Sequence, residues 1–479
     1  MIEIKGVSKI YSSNSGNVVA LDNINLKFPD TGLFTIMGET GCGKSTLMNI
    51  IGTFDKPTVG EVIIDNTPIS SFSLKMYDNY RCNYLSCIFQ NISIFDLIPD
   101  LTVIENIDLA FFLQNRKINE KRVFEILELL KIKEICNKKT INLSGGQIQR
   151  ASTVRAISRN TKIIIADEPT SSLDPETKEI IINFFKELSK KKLIIVVSHD
   201  PSILSKVDGA VILNNGKLVS FKNKEQLEKN ELFNRLKNEN KENENFFKSL
   251  YEDDNKGNDI SEEKEKEKKI KEIVENINNE IKKDNLKLFI PFNYVLKIIF
   301  NNIKNKKISI IVQIIVHFFI FLTLSSLAIS IFYFLKNMPE IKKEKAIDFE
   351  NESIKLIIHI IKIIFLIISI FAVFISARSV LAIMKNNREK IGILRSIGSS
   401  LFSIFIIYFI ETIMILSLSF LISLTLQFFY FNTYLSLIEN MEIILIMFVY
   451  LISMSFLSVL IPIIFFLKKS IVNMLKKDK

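Results

Sequence analysis

The chain has 479 residues, of which 48% are hydrophobic and 24% charged, and it carries a formal net charge of +10. That mixture excludes one uniform globule and implies a soluble part joined to a membrane part. The basic excess does not require a nucleic-acid partner, because Lys and Arg flanking membrane spans give the same total.

Residues 1–222 alternate short apolar strands with helical patterns. "GLFTIMG", "KIIIAD" and "KLIIVVSHD" end in glycine or acid, and "KRVFEILELLKI" is amphipathic. This alternation implies an α/β domain with a largely parallel sheet. The N-terminal "MIEIKGVSKIY" lacks the apolar core of a signal peptide. All four cysteines fall in the first third, with no second Cys or His pair at metal-ligand spacing, and they read as reduced thiols.

Within this domain, "GETGCGKST" fits G-x-x-x-x-G-K-[ST] directly after a strand. Its residues are Gly38, Glu39, Thr40, Gly41, Cys42, Gly43, Lys44, Ser45 and Thr46. Glycines let consecutive backbone N–H groups face phosphates, Lys44 reaches the β- and γ-phosphates, and Ser45 binds Mg²⁺. In "KIIIADEP" a strand ends in Asp167, placed to meet the same ion, and Glu168 follows as a general base for the attacking water. "LSGGQIQR" sets Ser144, Gly145, Gly146 and Gln147 at the opening of a helix, a second anion-cradling N-terminus. One chain does not need two such cradles for one phosphate group. Two chains facing each other head-to-tail do.

Here the sequence resembles the ATP-binding cassette (ABC) family over essentially all of 1–222. Gln90 in "CIFQ", "SSLD" at 171–174 and His199 in "VVSHD" extend the match. The resemblance implies a P-loop NTPase fold, ATP and Mg²⁺ as ligands, and ATP hydrolysis. It implies that Tyr11 stacks on adenine and that Gln90 contacts Mg²⁺ and senses the membrane domain. Ser144, Gly145 and Gly146 would cap the γ-phosphate held by a partner's Lys44. Asp174 would help join the two sites, and His199 would hold the γ-phosphate and orient water.

Residues 223–287 are dominated by Lys, Glu and Asn and read as a solvated tether. The alternative, over their later part, is a charged amphipathic helix, since Ile270, Ile273, Val274, Ile277 and Ile281 recur at helical spacing. Residues 288–303 read as an amphipathic helix on the membrane surface. Four apolar runs follow, at about 308–335, 356–384, 401–431 and 442–467. Each exceeds the ~20 residues that a helical span needs. The expectation is an all-α membrane domain of four transmembrane helices.

Charge sets the expected orientation. Three lysines precede the first run, the 385–400 segment holds four basic residues against Glu389 alone, and the tail from Lys468 has five lysines and one Asp. The positive-inside tendency makes these segments and both termini cytoplasmic in a multi-pass plasma-membrane protein. Glu411 lies inside the third run, where a charge costs ~2.5–3.5 kcal/mol, so it should face protein, water or a partner. Lys362 and Arg378 in the second run snorkel towards opposite surfaces. His317 and His359 read as packing residues.

Residues 288–479 also resemble, more loosely, the FtsX-type permeases of the macrolide exporter (MacB) group. "KIIFNNIKNKK", "REKIGILRSIGSS", Glu411 in "YFIETIMIL" and "FFLKKSIVNML" carry that likeness. It implies a homodimer of one cassette and four spans per chain, exporting an amphipathic or hydrophobic cargo such as a peptide, drug or lipidated molecule. The alternative is a mechanotransmitter that acts on an extracellular or membrane protein partner without moving a substrate. The 385–400 segment would be a coupling helix resting on the cassette near Gln90, against the alternative of a simple basic anchor. Family members commonly carry a large extracytoplasmic domain between spans one and two. Here about twenty residues stand in its place, too few to bury a core.

Overall fold

The computed structural model describes residues 1–13, 16–89, 97–198, 203, 206–223, 259–278, 290–305, 310–323, 351–431, 437–467 and 470–475. The chain divides into two units. One holds Met1–Ile290, Arg388–Ser400 and Ser470–Lys479; the other holds Pro291–Asn387 and Leu401–Lys469.

The first unit is built on two sheets. β1 (Ile2–Ser13), β2 (Gly16–Phe28), β4 (Val59–Ile64) and β5 (Thr67–Pro68) form an antiparallel sheet in the order β2-β1-β4-β5. β3 (Gly32–Met37), β6 (Leu85–Ile88), β7 (Ile163–Asp167), β8 (Leu193–Val197), β9 (Gly209–Asn214) and β10 (Lys217–Asn223) form the second, ordered β10-β9-β3-β8-β7-β6. It is parallel except for the β9–β10 hairpin. β6, β7 and β8 are buried along their whole length, as expected for strands covered on both faces. This is the α/β arrangement that the alternating pattern predicts.

Six helices accompany these strands: α1 (Lys44–Ile51), α2 (Leu74–Asn79), α3 (Val103–Leu113), α4 (Glu120–Leu129), α5 (Gly145–Ser158) and α6 (Pro175–Ser189). Their starts are written in the sequence. Thr102 with Glu105 and Ser144 with Gln147 form capping boxes, Asp174 caps α6, and Pro175 takes its first turn.

The charged segment after residue 222 departs from a plain tether. Asp259–Asn278 forms α7, which packs along α6. Ile270, Ile273, Val274 and Ile277 enter the same apolar core as Ile180, Ile181 and Phe184. Burying such side chains stabilises by ~1.5–3 kcal/mol each. Lys266 Nζ meets Glu176 Oε1 at 2.9 Å, and Lys131 pairs with the same carboxylate. The four apolar residues at helical spacing win over the surrounding charge because the charge lies on the other faces.

The second unit is helical: α8 (Phe292–Asn305), α9 (Ile310–Thr323), α10 (Asn351–Asn386), then α12 (Leu401–Phe431) and α13 (Leu437–Leu467). α11 (Arg388–Ser396) and α14 (Ile471–Leu475) belong to the first unit. Among the described residues three helices contain stretches long and apolar enough to cross a membrane: Leu366–Asn386, Leu401–Ser423 and Phe448–Phe465. The expected first span is described only over α9, and its remainder lies outside the described residues. Phe321, Leu416, Phe420 and Leu451 make a buried cluster among the helices. Glu411 is buried and its Oε2 accepts a hydrogen bond at 3.2 Å from Asn302 Nδ2 on the amphipathic helix α8, so it faces protein. His317 is also buried, with Nδ1 2.7 Å from the Gln313 carbonyl oxygen and its other nitrogen against Ser376 Oγ.

Candidate active site

The glycine-rich loop joins β3 to α1. Gly38, Gly41 and Gly43 have φ of 148°, 85° and 103°. A Cβ at Gly38 would lie 2.2 Å from the Leu213 carbonyl oxygen, and one at Gly43 would lie 2.4 Å from that of Ala20. Both positions therefore need glycine for conformation and for space. The loop is braced from behind, where Gly216 N–H donates to the Cys42 carbonyl at 3.1 Å and Asp22 N–H donates to the Gly216 carbonyl at 2.8 Å. Glu39, Thr40, Gly41 and Ser45 remain exposed, while Cys42 is buried.

Lys44 is buried, and its Nζ donates to the carbonyl oxygens of Gly38 at 2.7 Å and Glu39 at 2.8 Å. These neutral acceptors hold the ammonium inside the loop, in a position from which it can turn to phosphate oxygens. Tyr11, on β1, reaches the same region. Its hydroxyl bonds Asp55 Oδ2 at 3.1 Å and interacts with Thr46. Burial and the Asp55 carboxylate push the phenol up to about 12 against the opposing effect of Thr46. The Lys9 ammonium lies 5.0 Å from the ring centroid and 2.9 Å from Asp55 Oδ1.

Asp167 ends β7 and is buried, and α1 packs against that strand. Glu168, next along, is buried with φ 52°. A non-glycine residue in the left-handed region costs ~1–3 kcal/mol and is retained where the surroundings impose it. Its N–H donates to the Val197 carbonyl at 2.9 Å, and its carbonyl accepts from Gln149 Nε2 at 2.7 Å and Ser171 Oγ at 3.2 Å. Sequence spacing singles out Glu168 but gives no sign of Gln149, which enters only through the fold.

Ser45 and Asp167 are hard oxygen donors, the chemistry Mg²⁺ prefers. Among the described residues no cluster of three or more His, Cys, Asp or Glu side chains assembles. A magnesium ion here fits the usual pattern of one or two protein oxygens completed by nucleotide phosphates and water.

At the N-terminus of α5, Ser144 and Gly145 are exposed. Ser144 Oγ accepts from Gln147 N–H at 3.4 Å while Gln147 Oε1 accepts from Ser144 N–H at 3.0 Å. A Cβ on Gly145 would meet nothing within 4 Å, whereas one on Gly146 would lie 3.1 Å from the Ser172 carbonyl oxygen. The helix start thus abuts the "SSLD" turn. Asp174 in that turn caps α6, accepting from Thr177 N–H at 2.9 Å and Thr177 Oγ1 at 2.8 Å. Partial burial opposes its ionisation, but the Thr177 hydrogen bonds outweigh it and hold the carboxyl below the usual range. Gln90 and His199 lie outside the described residues.

The 388–400 segment folds within the same unit as this site. Ile391, Ile393, Leu394 and Ile397 are buried, and Lys390 pairs with the buried Asp100. Gly398, at φ 92°, ends α11 with the Gly398 N–H donating to the Arg395 carbonyl and Ser399 N–H to the Leu394 carbonyl. A Cβ at Gly398 would fall 2.4 Å from that of Cys82. Arg395 sits beside the Asp78–Arg81 pair; burial and Arg81 bring its guanidinium down to about 10, with Asp78 opposing. α14 packs on α11, and Val472 N–H donates to the Phe54 carbonyl at 3.4 Å. Sequence reading anticipated α11 and missed α14, whose five residues look like the frayed end of a span.

The profile of the ABC transporter family matches residues 21–171. The uncharacterized ABC transporter ATP-binding protein MJ0796 of Methanocaldococcus jannaschii is 37% identical over 226 residues, 46% of this chain and 95% of that protein. A second such protein of the same organism, MJ1508, is 38% identical over 227 residues, covering 47% of this chain and all of its own length. The uncharacterized ABC transporter ATP-binding protein YvrO of Bacillus subtilis is 36% identical over 222 residues, 46% of this chain and 96% of that one. Among solved structures, the MJ0796 cassette bound to ADP and Pi is similar with a TM-score of 0.44 and 34% identity, over 47% of this chain and 99% of that chain.

Proposed function

We propose, for a chain that belongs to the ABC transporter family and carries its ATP-hydrolysing cassette, a homodimeric half-transporter. Residues 1–222 are its cassette and 288–479 an FtsX-like permease domain of four spans. One observation carries the transport reading: Arg388–Ser400, flanked by two apolar spans, folds into the unit that holds the nucleotide site. That arrangement favours a coupling element over a basic anchor, because its apolar face is buried and its glycine is fitted to Cys82.

In this reading ATP lies between Lys44 of one protomer and Ser144–Gly146 of the other. Lys44 leaves the loop carbonyls for the β- and γ-phosphates. Glu168 takes a proton from the attacking water, whose oxygen bonds to the γ-phosphorus as the bond to the bridging oxygen of ADP breaks. Ser45 and Asp167 would hold Mg²⁺, which would supply neutralising charge on the phosphates. The membrane domain responds by exporting an amphipathic or hydrophobic cargo, with the cassette and both termini cytoplasmic at the plasma membrane.

ATPase activity of the full chain in nanodiscs, wild type beside Glu168→Gln, tests this. The expected result is stimulation by one class of amphipathic peptide or lipophilic drug, absent in the variant, which still binds ATP. Basal turnover indifferent to every cargo contradicts export and favours a mechanotransmitter that awaits a protein partner.

A further inference from the structure

Gln149 joins the two halves of the chemistry. It lies on α5 just past the helix start, where Ser144 and Gly145 are exposed, and it is fully buried. Its Nε2 donates to the Glu168 carbonyl oxygen at 2.7 Å. Its Oε1 has no hydrogen-bond partner among the described residues. A buried amide with one group unsatisfied is costly, so packing alone would favour an apolar side chain of the same length. What the amide adds is the shortest of the donors on the Glu168 carbonyl, ahead of Ser171 Oγ at 3.2 Å and Ser171 N–H at 3.4 Å.

Glu168 needs that donor. Its φ of 52° is a conformation that a glutamate does not hold unaided. The peptide before it is tied to β8 through the Val197 carbonyl, and the peptide after it is tied to α5 through Gln149. Ser171 Oγ lies further off, at 3.2 Å. Relaxation of φ would require one of these anchors to break.

We infer that Gln149 is a positioning residue that locks Glu168 in its attacking conformation and links it to the helix whose start faces the partner's nucleotide. A γ-phosphate seated on Ser144–Gly146 shifts or stiffens α5, and Gln149 passes that to the base of the same protomer. Occupancy of one site thereby speeds hydrolysis at the other without being required for it. This rests on the reading of Glu168 as base and of the α5 start as a contact made across the dimer.

The test uses the full chain in nanodiscs with Gln149→Met, which keeps length and bulk but has no donor. The expected result is a fall of about tenfold in kcat, ~1.4 kcal/mol. KM and the Kd for a fluorescent ATP analogue should stay near wild type, and the Hill coefficient for ATP should drop towards one. If the Met variant does not fold, Gln149→Leu also removes the donor without burying a charge, and is read in the same way. Wild-type kcat and cooperativity in a folded variant overturn the inference. So does a loss of ATP affinity that matches the loss of rate, which marks Gln149 as packing. Glu168→Gln runs alongside. If that variant hydrolyses ATP normally, the base assignment fails; if it is inactive while Gln149→Met is normal, only the coupling fails.

Discussion

Tyr11 shows how much of the site a single side chain can reveal. Its ring is held by a hydroxyl bond to Asp55 and interacts with Thr46 on the phosphate-loop helix. A base stacked on an aromatic ring gains ~1–3 kcal/mol. Tyr11→Ala should therefore weaken ATP binding by roughly tenfold or more, while Tyr11→Phe, which keeps the ring and loses only the hydroxyl's bonds to Asp55 and Thr46, should bind near wild type. Titration with a fluorescent ATP analogue separates the two, and an unchanged Kd in the Ala variant would remove Tyr11 from the adenine site. At this scale the sequence was most legible where glycine is compulsory. Gly38 and Gly43 have positive φ and no room for a Cβ, so local spacing alone identifies them. Gln149 and Asp55 were not legible, because their roles depend on a partner 19 and 44 positions away.

Elements were read well where periodicity and caps agree and poorly where composition overrides them. Residues 391–399 are all buried, so α11 is enclosed on every side beyond its first turn, and Gly398 ends it. α7 was obscured by its lysines and glutamates, although four apolar residues sufficed to dock it on α6. α11 is also where charge can be tested. Lys390 meets Asp100 in a largely buried pair, and removing one partner of such a pair leaves an uncompensated charge. Lys390→Glu should leave ATP binding intact but separate ATPase activity from membrane output. The double exchange Lys390→Glu with Asp100→Lys should restore much of the coupling. Equal coupling in all three proteins, measured as cargo-stimulated ATPase in nanodiscs, would reduce α11 to an anchor.

For the whole molecule, the chain passes between its two units at four points, after Ile290, Asn387, Ser400 and Lys469. In the proposed reading, a change of shape in the cassette loads the segments that bound the apolar helices. Charge and hydropathy show the division into parts, and the permease likeness points 385–400 to the cassette, but nothing local marks 470–475, whose packing requires contacts hundreds of residues apart. The exposed start of α5 is the feature that calls for a second copy. The direct test co-assembles two inactive full-length chains, Lys44→Ala and Ser144→Arg, in nanodiscs. If each site pairs one protomer's Lys44 with the other's Ser144, the mixed dimer holds one intact site and recovers ATPase activity that neither variant shows alone. If mixed dimers form and remain as inactive as the single variants, the site does not lie between protomers and the head-to-tail account is wrong.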